Sequence, residues 1–186
     1  MKVITAPKIE PVSIAEVKTQ LGIDFSQTDD LISRRIVEAR KWVESYTGRA
    51  LITQTREKRW DCFVDEHEVE SALTVVSVKY IDTDGVETTL DTSDYVLDTY
   101  PFIPHVRAAY GVSWPSTRAE RNAVRIQYTA GYGPLSTSVE PIIREAIILL
   151  VGHWMNNQPQ AESGISMSRV PYAVRDLLDP YRLDFL

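Results

Sequence analysis

Residues 140–157, EPIIREAIILLVGHWMNN, are the most apolar stretch of the chain, and their reading decides the fold. Pro141 has a fixed φ and no N–H, so it suits a first helical position and pushes Glu140 into the cap. At about 100° per residue, Ile143, Ala146, Ile147, Leu150, Val151 and Trp154 share one broad face, and Arg144, Glu145, Gly152 and Asn156 mark a narrow polar strip. Ile148 and Leu149 interrupt that strip. A helix has no use for apolar residues on its wet side, so a second layer of the same chain or a neighbouring subunit must cover them.

A second long helix is expected from Thr28, as cap, to Thr47, with Gly48 as its stop. Leu31, Ile32, Ile36, Ala39, Trp42, Val43 and Tyr46 fall in one arc, and Arg34, Glu38, Lys41 and Ser45 lie opposite. Arg35 falls inside the apolar arc. It either buries its stem and keeps its head in water, or meets a carboxylate from another helix or subunit.

Shorter elements flank these two. Ser13 and Glu16 form a capping box for a helix over 13–21, bearing Ile14, Val17 and Leu21 and stopped by Gly22. Before it, residues 1–12 read as an extended arm whose order would need a partner. Near the other end, residues 158–168 have the composition of a mobile loop, and a helix over 172–178 ends at Asp179-Pro180. The tail YRLDFL carries Tyr181, Arg182, Leu183, Phe185 and Leu186. It is expected to dock on a partner or neighbouring subunit, the alternative being that it folds back on its own bundle.

Between the long helices, residues 51–130 change to period two, most clearly at 75–81 and 123–129. Val124, Ile126 and Tyr128 point one way and Arg125 and Gln127 the other, as in a sheet with one wet face. Asp84-Gly85 predicts a two-residue type I′ hairpin. TQTREKRWDCF, polar on both faces apart from Trp60, Cys62 and Phe63, predicts an exposed arm or edge strand. The order helix, helix, strands, helix, helix gives an α+β fold: a small helical bundle with an inserted, largely antiparallel β section. One domain over 1–186 is expected, with a helical core at 13–48 and 140–180 and the β excursion at 51–130.

The chain has 186 residues and a formal charge of −6, and its pI near 5.1 argues against a sequence-independent grip on nucleic acid. The single cysteine, Cys62, cannot form an internal disulfide, and no apolar run is long enough to span a bilayer, so a soluble chain in a reducing compartment is expected. His67, His105 and His153 lack metal-binding spacing, and the acidic run Asp61 to Glu70 lacks the glycine of a calcium loop. Gly131-Tyr132-Gly133 stands where a phosphate loop would, without its Lys-Ser/Thr ending, and no nucleophile elbow occurs. No catalytic, cofactor or metal residue emerges. What remains is surplus association chemistry: an arm at each end and apolar residues on a helix's wet strip.

EPVSIAEVKTQLGID, DDLISRRIVEARKWVESYTGRALITQT, AYGVSWPSTRAERNAVRIQYTAGYG and IREAIILLVGHW occur in that order. Together they resemble the head-tail connector (adaptor, head-completion) proteins of long-tailed phages, prophages and gene transfer agents. The resemblance implies a helical core with a β excursion that assembles into a ring, usually twelvefold, in the neck of the virion after synthesis in the bacterial cytoplasm. It implies docking on the portal protein, a surface for the stopper or tail-completion protein, and DNA passing through the channel without specific binding. It implies no catalytic residue, cofactor or membrane. Arg35, Ile148 and Leu149 become candidate subunit-interface residues, and the tail a portal or neighbour dock. Arg56 and Lys58 depart from the family pattern, which favours apolar residues there. The competing readings are another neck ring, such as a stopper or tail terminator, and an accessory enzyme with a pocket in the β section.

Overall fold

The apolar arcs of the two long helices face each other in the computed structural model, which describes residues 1–24, 26–157 and 170–183. The chain forms two compact units: Ile9–Ile52 with Gly133–Leu186, and Met1–Lys8 with Thr53–Tyr132. The first is helical and the second is built of antiparallel strands, a mixed α+β fold. The expected loop at 158–168 lies outside the described residues.

The helical unit contains α1 (Ile14–Leu21), α2 (Asp29–Thr47), α3 (Pro141–Asn156) and α4 (Tyr172–Leu178). The capping box forms as read: the Glu16 N–H donates to Ser13 Oγ at 3.2 Å and the Ser13 N–H to Glu16 Oε2 at 2.8 Å. Gly22 and Gly48 close α1 and α2 with φ of 65° and 74°, the left-handed geometry that favours glycine. Thr28 does not act as expected, because its side chain makes no cap bond and its hydroxyl is buried without a partner. Asp29 in the first turn of α2 pairs instead with Lys18 of α1 at 2.8 Å.

Ile32, Ile36, Ala39 and Val43 of α2 meet Ile143, Ala146, Ile147, Leu150 and Val151 of α3, and none is more than 2% exposed. Val17 of α1 and Val174 and Leu178 of α4 complete this core. The arc on α2 is turned from the expected one. Leu31, Trp42 and Tyr46 sit half-buried at its margin, the two rings stacked at 5.0 Å, whereas Arg40 is buried on the other flank. A guanidinium tolerates that position because Glu10 at 2.7 Å and Glu44 at 3.1 Å neutralise it.

The β unit contains a five-stranded sheet of β1 (Lys2–Thr5), β2 (Gln54–Trp60), β8 (Val124–Ala130), β4 (Ala72–Ile81) and β5 (Glu87–Thr89), in that spatial order. A three-stranded sheet follows the order β3 (Glu66–Glu68), β7 (His105–Ala108), β6 (Tyr95–Asp98). Every pairing between these strands is antiparallel. Along β8, Val124, Ile126, Tyr128 and Ala130 are fully buried and the residues between them are not, the alternation read from the sequence.

Three expectations change here. The N-terminal arm finds its partner in its own chain, since β1 pairs with β2 through Lys2↔Glu57 and Val3↔Arg56. That pairing, with β8 on the other side, makes β2 an interior strand rather than an edge. The β4–β5 hairpin exists, but its loop is Thr83-Asp84-Gly85, held by the Gly85 N–H to Asp82 O and the Asp82 N–H to Val86 O, both 3.0 Å. Only Gly85, at φ 86°, has positive φ, so this is a three-residue loop and not type I′. Asp82 Oδ1 fixes it by accepting from the N–H groups of Asp84 and Val86.

Candidate assembly surfaces

The polar strip of α3 is where α1 packs. Arg144 pairs with Glu16 and donates to Pro11 O at 3.0 Å, and Gln20 donates to Glu145 at 3.2 Å. The Ser13 backbone N–H holds the Glu16 carboxyl below the usual range, with Arg144 adding to the effect against a smaller cost of burial. Ile148 lies among these contacts and is 8% exposed, so its own chain already covers it. Of the two covers expected for it, a layer of the same chain is present. Leu149 is 42% exposed and Ile142, seven residues earlier, 45%. The apolar strip left open on α3 is therefore Ile142 and Leu149, with Glu145 between them.

Arg35 does not reach another helix: its guanidinium pairs with Glu38 on the same helix at 2.7 Å, and its Nε is buried without a partner. The C-terminal segment is likewise tied to its own unit as far as it is described. Leu183 is 3% exposed and its N–H donates to Thr47 O at 2.8 Å. Arg49 Nε donates to Tyr181 O at 2.7 Å, Tyr46 Oη donates to Asp179, and Arg182 lies over the Tyr46 ring. Pro180 does not detach the tail, because a 3₁₀ turn over Asp179–Tyr181 carries the chain straight on from α4. Tyr181, Arg182 and Leu183 thus each touch residues 46–49 of the same unit. Phe185 and Leu186 lie outside the described residues.

In the β unit, the polar residues of β2 have internal uses that hydropathy does not reveal. Lys58 Nζ pairs with Glu70 at 2.5 Å and donates to Glu68 O, and Tyr128 Oη donates to the other Glu70 oxygen at 3.2 Å. Burial first, and then Glu70, raises the Tyr128 phenol well above its ordinary pKa. Arg56 is 3% exposed beside this group, with Met1 Sδ at 3.7 Å. On the other face of the sheet Glu57 accepts from Arg59 and Gln127, and Arg125 and Lys79 both pair with Glu87. The wet face is thus polar and internally neutralised.

His67 is fully buried, its ring 4.7 Å from Trp60 and 5.7 Å from both Phe63 and Trp114. Nε2 accepts from the Val64 N–H and Nδ1 has no partner. Burial, with a smaller push from Lys58, lowers its pKa to about 4, so the ring is neutral at pH 7. It is a core histidine. His105 faces Glu66 at 3.6 Å, and no group of three or more metal-binding side chains occurs among the described residues. Cys62 is exposed. No helix among them is long and apolar enough to cross a membrane. Tyr100 and Tyr110 are fully exposed and Phe102 is 63% exposed, on the loops that flank β7.

The comparisons with known proteins decide the class. The family model described as head completion protein matches residues 10–183. The chain belongs to the head completion protein family. That match runs from the segment before α1 to the buried Leu183, so it includes both the bundle and the β insertion. Head completion proteins are structural components of tailed particles, as the resemblance read from the sequence implies. No curated protein matches the chain. Among solved structures, a chain from the "Neck of empty GTA particle computed with C6 symmetry" is 19% identical, with a TM-score of 0.79 over 100% of this chain and 97% of that one. A chain from the "Virion of native gene transfer agent (GTA) particle" is 22% identical, with a TM-score of 0.78 over 100% and 96%. A third, from the "Neck of native GTA particle computed with C12 symmetry", is 19% identical, with a TM-score of 0.76 over 100% and 97%. At these identities the likeness is one of fold, and it extends over both units.

Proposed function

We propose that this chain is an adaptor subunit of a virion neck: copies close into a ring, dock on the portal and offer the next surface to the stopper or tail. The observation that carries this reading is the likeness, over the whole of this chain, to chains from gene transfer agent necks computed with C6 and C12 symmetry, in a chain of the head completion family. A closed ring needs two different patches on each subunit. Leu149 with Ile142 on α3 supplies one, and the other is to be sought on the exposed face of α2, where Glu38 holds the Arg35 guanidinium. The 1–186 chain then acts as one connector, with the β unit as its excursion.

The formal charge of −6 suits a channel that lets DNA slide, because a basic lining would hold each phosphate it met. Phe185 and Leu186, beyond the anchored Leu183, are the part of the tail left for the portal or a neighbour. Co-purification with a tagged cognate portal ring tests the adaptor role. Retention on the portal supports it, and retention only on the tail-side ring would make this chain a different neck component.

A further inference from the structure

We infer that the open strip of α3, Ile142–Glu145–Leu149, seats the exposed face of α2 from a second copy, with Glu145 lying between Arg34 and Lys41 of that copy. The inference rests on the ring reading and names the surface that makes the ring. α2 and α3 pack face to face through their apolar arcs, so the strips they leave exposed lie outside that contact, on different helices of the bundle. A head-to-tail joint that repeats around a ring requires two such different patches.

The charges match. Glu145 has only Gln20 as a hydrogen-bond partner, and no cation pairs with it among the described residues. On α2, Arg34 reaches only the Asp30 backbone oxygen, and Lys41 has no ion pair among the described residues. Glu38, which stands between them, is already taken by Arg35. One copy therefore presents a spare carboxylate on α3 and two spare cations on α2.

The spacings match as well. Ile142 and Leu149 are seven residues apart on one helix, as are Arg34 and Lys41 on the other, and each seven-residue step covers about 10.5 Å. Arg34 and Lys41 can lay their aliphatic stems over Ile142 and Leu149 while their heads meet Glu145. Neither strip can do this within one chain, because α2 and α3 turn these faces outward.

The test is charge reversal with exchange, read as mass against concentration by sedimentation, with circular dichroism confirming that each variant is folded. Glu145→Lys alone, and Arg34→Glu with Lys41→Glu together, should each weaken self-association by more than about tenfold, since each places like charges at the joint. Mixing the two variants one to one should restore assembly. In an alternating ring every joint then brings opposite charges together, either the reversed position 145 against the reversed positions 34 and 41, or the native Glu145 against the native Arg34 and Lys41. Variants that assemble like the wild type would overturn this surface and leave the ring reading standing. Loss of assembly without rescue on mixing would also overturn it. A wild type that never self-associates, alone or with portal, would defeat the ring reading itself.

Discussion

Gly152 of α3 gives up the place of its missing side chain to Leu21 of α1: a Cβ built there would lie 2.7 Å from Leu21 Cδ2. This close approach seats α1 on the strip that also holds Arg144, Glu145 and Ile148. Gly152→Ala should change stability little. The Leu21 side-chain end can move, and the gain of up to about 1 kcal/mol in helix propensity offsets the crowding. Gly152→Val has no such relief and should cost about 1–3 kcal/mol, measured by denaturant unfolding. Equal tolerance of both would mean that α1 does not rest on Gly152.

Leu150 is fully buried at the centre of the α2–α3 contact. Leu150→Ala should cost about 2–5 kcal/mol, the range for large-to-small changes in packed cores. An unchanged melting temperature would contradict the assignment of α3 as the central helix of its unit.

His67 sets a pH dependence. It is neutral and buried in the native state with a pKa of about 4, against 6.5 for a free imidazole. Between these values the unfolded chain binds the extra proton, so stability falls as pH drops from about 6.5 towards 4, by roughly 3 kcal/mol in all. His67→Phe keeps the aromatic packing and removes the titration. The difference in unfolding free energy between His67→Phe and the wild type should therefore grow in favour of the variant over this interval. A constant difference would show that His67 does not titrate out of a buried neutral state.

Leu183→Ala should lower stability by about 2–4 kcal/mol because it truncates a buried side chain, and deletion of residues 181–186 by at least as much because it also removes the backbone bonds to Thr47 and Arg49. Deletion of residues 184–186 should leave the melting temperature nearly unchanged and weaken portal binding. A short deletion that melts early, or that binds portal as well as the full chain, would remove the docking role from Phe185 and Leu186.

The bundle was legible because its signals are local. Ser13 with Glu16, Gly22, Gly48 and Pro141 punctuate the helices, and the 3.6-residue period of α3 points to the residues that are buried. What escaped depended on partners distant in sequence. Arg40 is buried because Glu10, thirty residues earlier, neutralises it, and Ile148 is covered by an α1 that lies more than 120 residues away. β2 looked like an edge because hydropathy cannot distinguish a solvated Lys58 from one satisfied by Glu70, nor show that residues 2–5 add a strand beyond it. The Asp84-Gly85 hairpin was visible, but its loop length was fixed by the Asp82 side chain, which the dipeptide alone does not report. The exposed strip of α3 was legible only in part: the angle of Leu149 on the helix predicts its exposure, whereas the lack of an ion pair at Glu145, Arg34 and Lys41 among the described residues needed the full set of ion pairs.

The proposed ring on a portal is tested most directly by the mass of the complex formed when the purified chain is titrated onto cognate portal rings, read by native mass spectrometry. One closed ring of this chain per portal ring is expected, filled cooperatively, with no stable intermediate carrying a few copies. Independent, one-at-a-time binding of single copies, or no binding at saturating concentration, would contradict the ring on the portal.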